Sequence, residues 1–186
     1  MNIIYLDIDD VLADLTGGFV ELYNRVNRTN FTKDDITDWD FMGVLPQWQH
    51  WWDYTEREPG FFRFLRPTPW AHEMVELAAK SGYRWAFCSS SPINHPGILD
   101  DRRIWLRRHF GDLDPQVQHR LIVAKRKELV VHEGDALIDD SVTNYDAVRA
   151  VGGTVFLLSQ PWNEGHDARW TPEQILEWLR DVRKDG

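Results

Sequence analysis

At 186 residues the chain has room for one ordinary domain with a small insertion, and two full domains would crowd it. A formal charge of -9 argues against gripping a long polyanion, because that affinity rests on Lys and Arg neutralising phosphates. A single cysteine, Cys88, rules out an intrachain disulfide and points to a reducing, cytoplasmic setting. No run approaches the ~20 apolar residues of a membrane span, and the few residues before Asp7 are too short for a signal-peptide core.

The first element is Ile3-Ile4-Tyr5-Leu6, an apolar run that ends in Asp7-Ile8-Asp9-Asp10, the pattern of a buried parallel strand tipped with acids. Over 12–28, Leu15, Phe19, Leu22, Tyr23 and Val26 recur at helical spacing, in a helix that Gly17-Gly18 weakens early. Residues 31–64 are crowded with aromatics and poor in β-branched residues, and read as a small helical insertion. Pro67-Thr68-Pro69 closes it, with Thr68 offering a cap for a helix over 70–80 that stops at Ser81-Gly82.

A strand at 83–88 runs into Ser89-Ser90-Ser91-Pro92, where the proline ends regular pairing, and a helix over 100–110 follows. Leu121-Ile122-Val123 and Ala136-Leu137-Ile138-Asp139 are two more strands. The first leads into Lys125-Arg126-Lys127, and the second into a helix that Ser141 caps and that runs through Ala150. Gly152-Gly153 turns into a strand at 154–158, and an amphipathic helix occupies 171–182. Strands alternating with helices predict an α/β fold, a parallel sheet with helices on both faces. Ligands of such sheets bind at the carboxyl ends of the strands, so two acid-tipped strands predict one acidic site.

Several carboxylates in one crevice raise each other's pKa unless a cation stands among them. Mg²⁺ suits an oxygen-only donor set completed by a substrate phosphate, and no His or Cys cluster has zinc spacing. Asp7 and Asp9, one residue apart, can divide the labour of nucleophile and proton donor. Asp139 offers a metal ligand, Ser90 or Ser91 offers hydroxyls, and Lys127 offers charge for a phosphoryl group. Any one of these is most often a solvated strand end, helix start or turn residue; the four together in this order are not. Neither GxGxxG nor GxxxxGK is present, which removes the main support for dinucleotide and P-loop readings.

The four-part pattern resembles the haloacid dehalogenase (HAD) superfamily of phosphohydrolases: Asp7-Ile8-Asp9-Asp10-Val11 as its first motif, Ser90 as the second, Lys127 as the third and Asp139-Asp140 as the fourth. Within it the chain is similar to the 5'(3')-deoxyribonucleotidase group, through 10–14, Gly17-Gly18-Phe19, Ser90-Ser91-Pro92, Lys125-x-Lys127 and 137–140. The resemblance implies a Rossmann-like core of 1–14 and 71–186, with 15–70 as a helical cap over the site. It implies Asp7 as nucleophile and Asp9 as general acid then base. Mg²⁺ would be held by Asp7, the Asp9 carbonyl and Asp139, with Asp140 just outside. Ser90, Ser91, Lys125 and Lys127 would surround the phosphoryl group. Leu15, Trp39, Phe41 and Phe62 are the candidates for contact with a base, since stacking tolerates any base. Asp10 departs from the family, whose members often have Gly or Thr there.

The expected substrate is therefore a small nucleoside monophosphate, with no long nucleic acid and no membrane as partner, and with a homodimer left open. Two rivals remain. A sugar phosphate or polynucleotide 3'-phosphate could feed the same chemistry, although the net charge disfavours the polynucleotide. A phospho-accepting receiver domain shares the acids, hydroxyl and lysine, but it has no use for the aromatic insertion and carries its phosphoacceptor on a later strand than its acid pair.

Overall fold

The computed structural model describes residues 2–38, 44–45, 51–90 and 97–182. In chain order it contains β1 (Ile3–Leu6), α1 (Leu15–Asn27), α2 (Trp51–Glu56), α3 (Ala71–Lys80), β2 (Arg84–Ser89) and α4 (Ile98–Phe110). These are followed by β3 (Leu121–Val123), β4 (Ala136–Asp139), α5 (Val142–Ala150), β5 (Thr154–Leu158), β6 (Arg169–Trp170) and α6 (Pro172–Val182). The strands form one six-stranded sheet in the order β3-β2-β1-β4-β5-β6, every pairing parallel. The α/β architecture read from the alternation of elements is the one observed.

The two-residue period of a strand divides the core. Ile4 and Leu6 of β1, Ala136 and Ile138 of β4, and Phe156 and Leu158 of β5 join one apolar cluster with residues of α1, α3, α4 and α6. Tyr5, Leu137 and Val155 point to the other face, where Val148 of α5 and Val131, from the segment before β4, cover them. Central strands covered on both sides must be apolar throughout, which is why their sequences show no alternation.

β1 pairs with β2 on one side and β4 on the other. The connections leaving β1, towards β2, and leaving β4, towards β5, therefore run to opposite halves of the sheet, and the crevice opens at the carboxyl ends of those two strands. Register does the rest: Leu6 lies opposite both Phe87 and Ile138, so the next residue, Asp7, is level with Cys88 and Asp139.

Three local readings change. α1 begins at Leu15, because Asp14 is its N-cap and its carboxylate accepts from the Gly17 N–H at 3.3 Å. The Gly17-Gly18 pair serves this turn: a Cβ on Gly17 would lie 2.1 Å from Asp14 Oδ2, and one on Gly18 2.5 Å from Leu65 Cδ2. Thr68 does not cap α3, whose N-cap is Trp70. Its hydroxyl donates to the Val11 carbonyl at 2.9 Å, as does Trp70 Nε1 at 2.8 Å, so both tie the loop after β1 in place. The two-residue β6 escapes any periodicity argument, being too short to alternate; it exists through its pairing with Leu157 and Leu158.

Candidate active site

Asp7 directly follows β1, and its N–H still extends the ladder to the Ile138 carbonyl at 3.0 Å. Its Oδ1 accepts from the Ile8 N–H at 2.8 Å and lies 2.9 Å from Lys127 Nζ. Lys127 opens a short 3-10 turn after β3, is fully buried, and places the same Nζ 2.6 Å from Asp139 Oδ2. Asp139, the last residue of β4, is held further by the Ser141 N–H at 2.9 Å and by Asn144 Nδ2 at 3.1 Å from the first turn of α5. Ser141 caps that helix, as its sequence position suggests, accepting from the Asn144 N–H. Asp140 accepts from Trp162 Nε1 at 3.1 Å through Oδ2, while its buried Oδ1 has no partner among the described residues.

This much negative charge out of water has the expected consequences. Burial pushes the Asp7 carboxyl up to about 7; Lys127 opposes the rise, and Asp139 and Asp9 add to it. Asp140 is driven well above the usual carboxylate range by burial and then by Asp10, Asp139 and Asp7. For Lys127 burial alone would lower the pKa, but attraction to Asp139 and Asp7 wins, and the ammonium is held charged. Cys88, a buried core thiol beside this cluster, is raised to about 12 by burial and is inert.

Asp7, Asp139 and Asp140 each offer an oxygen, and these oxygens lie within 4.8 Å of one another, all three residues buried. Among the described residues no His or Cys joins them. An oxygen-only set with one unpartnered buried carboxylate oxygen fits a hard divalent cation. Lys127 alone leaves the cluster short of positive charge.

Asp9 is placed differently. Its carboxylate is not in that cluster; Oδ2 is ion-paired with the guanidinium of Arg102 on α4, and Oδ1 is buried and unpartnered among the described residues. Arg102, 3 % exposed, also donates through Nη1 to the Ser90 carbonyl at 2.6 Å. Ser90 immediately follows β2 and is half-buried, its hydroxyl directed to the Ala124 carbonyl at 3.3 Å. Lys125 is exposed. Phe62 is 2 % exposed, with its ring 5.8 Å from the Arg102 guanidinium, and Leu15 is half-buried at the start of α1. Trp39, Phe41 and Ser91 lie outside the described residues.

Asp10 explains the departure at its position. Its φ of 55° is in the left-handed region that suits Gly, but the carboxylate of Asp10 repays the strain by accepting from the Thr16 N–H at 3.0 Å, the Thr16 hydroxyl at 2.7 Å and Lys33 Nζ at 3.0 Å. Lys33 also reaches Asp14 at 2.7 Å and sits 5.6 Å over the Trp162 ring. Arg102, Asn144, Trp162 and Lys33 were not legible as site residues. Arg102 alone had a signal: it falls on the stripe of Ile98, Trp105, Leu106 and Phe110, where a charge is out of place.

A family model described as 5' nucleotidase, deoxy (pyrimidine), cytosolic type C (NT5C) matches residues 1–178. The chain belongs to that family. A protein of Staphylococcus aureus (strain MSSA476), provisionally named a 5'(3')-deoxyribonucleotidase, is 29% identical over 181 residues, covering 97% of this chain and 93% of its own. One of Bordetella bronchiseptica with the same provisional name is 30% identical over 142 residues, covering 74% and 73%. The fold is shared with a HAD family hydrolase from Deinococcus radiodurans R1, solved with bound phosphate and sodium, at a TM-score of 0.64 and 18% identity over 98% of this chain and 96% of that one. The NT5C-family chain is thus a phosphatase, 5'-nucleotidase-like, on the fold of a HAD family hydrolase, and its three clustered carboxylates could hold a metal ion. Among the described residues no helix is long and apolar enough to cross a membrane.

Proposed function

We propose that this protein is a Mg²⁺-dependent hydrolase of nucleoside monophosphates, working in the cytoplasm through a phosphoaspartate on Asp7. The observation that carries the reading is the clustering of Asp7 with Asp139 and Asp140 around Lys127, whose ammonium bridges Asp7 and Asp139, with a second carboxylate, Asp9, on the same loop but held apart from them. Asp7, Asp139 and Asp140 would hold the ion, with the Asp9 carbonyl as a further oxygen. When bound, Mg²⁺ supplies the charge that keeps Asp7 ionised and draws a phosphate dianion towards it.

A carboxylate oxygen of Asp7 forms a bond to phosphorus, and the ester P–O bond breaks. The leaving oxygen takes that electron pair together with a proton from Asp9. Water then attacks phosphorus and returns a proton to Asp9, and the P–O bond to Asp7 breaks to release phosphate. Lys127 and the Ser90 region complement the phosphoryl oxygens, in keeping with a reaction catalysed mainly by positioning and charge. Residues 15–70 act as a cap over this site, and Leu15, Trp39, Phe41 and Phe62 are its candidates for contact with the base.

The test is phosphate release with Mg²⁺ from ribo- and deoxyribonucleoside 5'- and 3'-monophosphates, sugar phosphates and an aryl phosphate, with Asp7→Asn as control. Preference for deoxynucleotides supports the proposal. Turnover of sugar phosphates alone rejects the nucleotide substrate and keeps the chemistry. Full activity in Asp7→Asn refutes the covalent route.

A further inference from the structure

We infer that Arg102 is the positioning residue for the proton-transferring carboxyl, and that it fixes which oxygen of Asp9 meets the leaving group. The inference rests on the proposed role of Asp9. Arg102 is 3 % exposed on α4, and its guanidinium spans two points of the site, Asp9 Oδ2 and the Ser90 carbonyl at 2.6 Å. A planar fork with two anchors holds a carboxylate in one orientation, as a flexible ammonium cannot. Because Oδ2 is taken, Oδ1 alone remains for the substrate, and Oδ1 is the buried oxygen with no partner among the described residues.

The fork is itself held. Phe62 lies 5.8 Å from the guanidinium, and the neighbouring Asp101 is paired at 2.5 Å with Arg63 of the inserted segment. Adjacent residues of α4 therefore reach the inserted segment and the reacting carboxyl, so α4 sets the height of Asp9 relative to that segment. In the first step Asp7 bonds to phosphorus while the leaving alkoxide takes the Asp9 proton. An alcohol needs that proton as it departs, whereas a nitrophenolate leaves without it. A residue that only aims Asp9 must therefore matter for one class of ester and much less for the other.

The experiment compares kcat/KM, which reports the steps through loss of the leaving group, for a nucleoside 5'-monophosphate and for p-nitrophenyl phosphate. The enzymes are wild type, Arg102→Gln, Arg102→Lys and Asp9→Asn, with the exposed Arg103→Gln on the same helix as control and thermal melts to verify folding. General acid catalysis contributes about 10²–10⁴-fold, so Arg102→Gln should lose about 100-fold on the nucleotide and tenfold or less on the aryl ester, with Arg102→Lys recovering part. If Arg102→Gln does not fold, Arg102→Lys carries the same comparison with a smaller split. Equal losses on both esters with weakened inhibition by inorganic phosphate would make Arg102 a phosphate ligand and overturn the inference, as would no loss at all. Should Asp9→Asn itself show no dependence on the leaving group, the role of Asp9 fails and takes the inference with it. A split in Asp9→Asn that is absent from both Arg102 variants would refute the inference alone.

Discussion

Asp7→Asn should make the metal-free protein more stable while abolishing turnover. The carboxyl is pushed from its ordinary 3.8 to about 7, chiefly by burial. At about 1.36 kcal/mol per tenfold change in proton affinity, that is an ionisation penalty on the order of 4 kcal/mol. Asparagine keeps the shape but is a poorer acceptor for Lys127 and the Ile8 N–H. We therefore expect roughly half to survive, about 2 kcal/mol, or a Tm gain of about 4–8 °C for a chain of this size. The sign follows from linkage: with the folded pKa raised, the penalty is absent below the unfolded value near 3.8. It grows as pH rises and is complete above about 7, so the advantage of Asp7→Asn widens across that interval. Thermal unfolding in chelator at pH 4, 6 and 8 measures it. Repeating the melts with Mg²⁺ should reverse the order, since a ligand at a hundredfold its Kd adds about 2.7 kcal/mol to the form that binds it. A variant less stable than wild type at pH 8 in chelator, or a gap that does not change with pH, would refute the reasoning.

Lys127→Met removes a fully buried cation from between Asp7 and Asp139 and should cost about 3–5 kcal/mol in chelator, read as a fall in the denaturant midpoint. Asn144→Ala, which leaves Asp139 less firmly oriented, should weaken the Mg²⁺ dependence of turnover by about 10–100-fold in a metal titration. At Asp10 the left-handed backbone and the carboxylate contacts can be separated. Asp10→Gly should lose only the contacts to Thr16 and Lys33, whereas Asp10→Ala adds backbone strain on the order of 1 kcal/mol and should melt lower than the glycine variant. Equal melts for the two would remove the argument for strain at this position.

Much of this protein was readable from local pattern, because its central strands are short, apolar on both faces and tipped by the residues that act. Ile3–Leu6 followed by Asp7, and Ala136–Asp139 followed by Asp140, announce both a strand and a site, since a parallel sheet delivers the carboxyl ends of its strands to one edge. Lys127 was legible through its place after a strand, although only the fold buries it between two carboxylates. What remained hidden depends on distance along the chain. Arg102 meets Asp9 across 93 residues, and Lys33 meets Asp10 across 23, so neither spacing is a motif. By position Thr68 belongs to its nearest helix, yet its hydroxyl is used 57 residues away, where tertiary packing presents a carbonyl. Sequence alone determined which chemical groups stand at the strand ends, because neighbours along the chain share a strand. The tertiary structure decided how those groups are charged, aimed and paired, because burial and ion pairing are set by residues that only folding brings together.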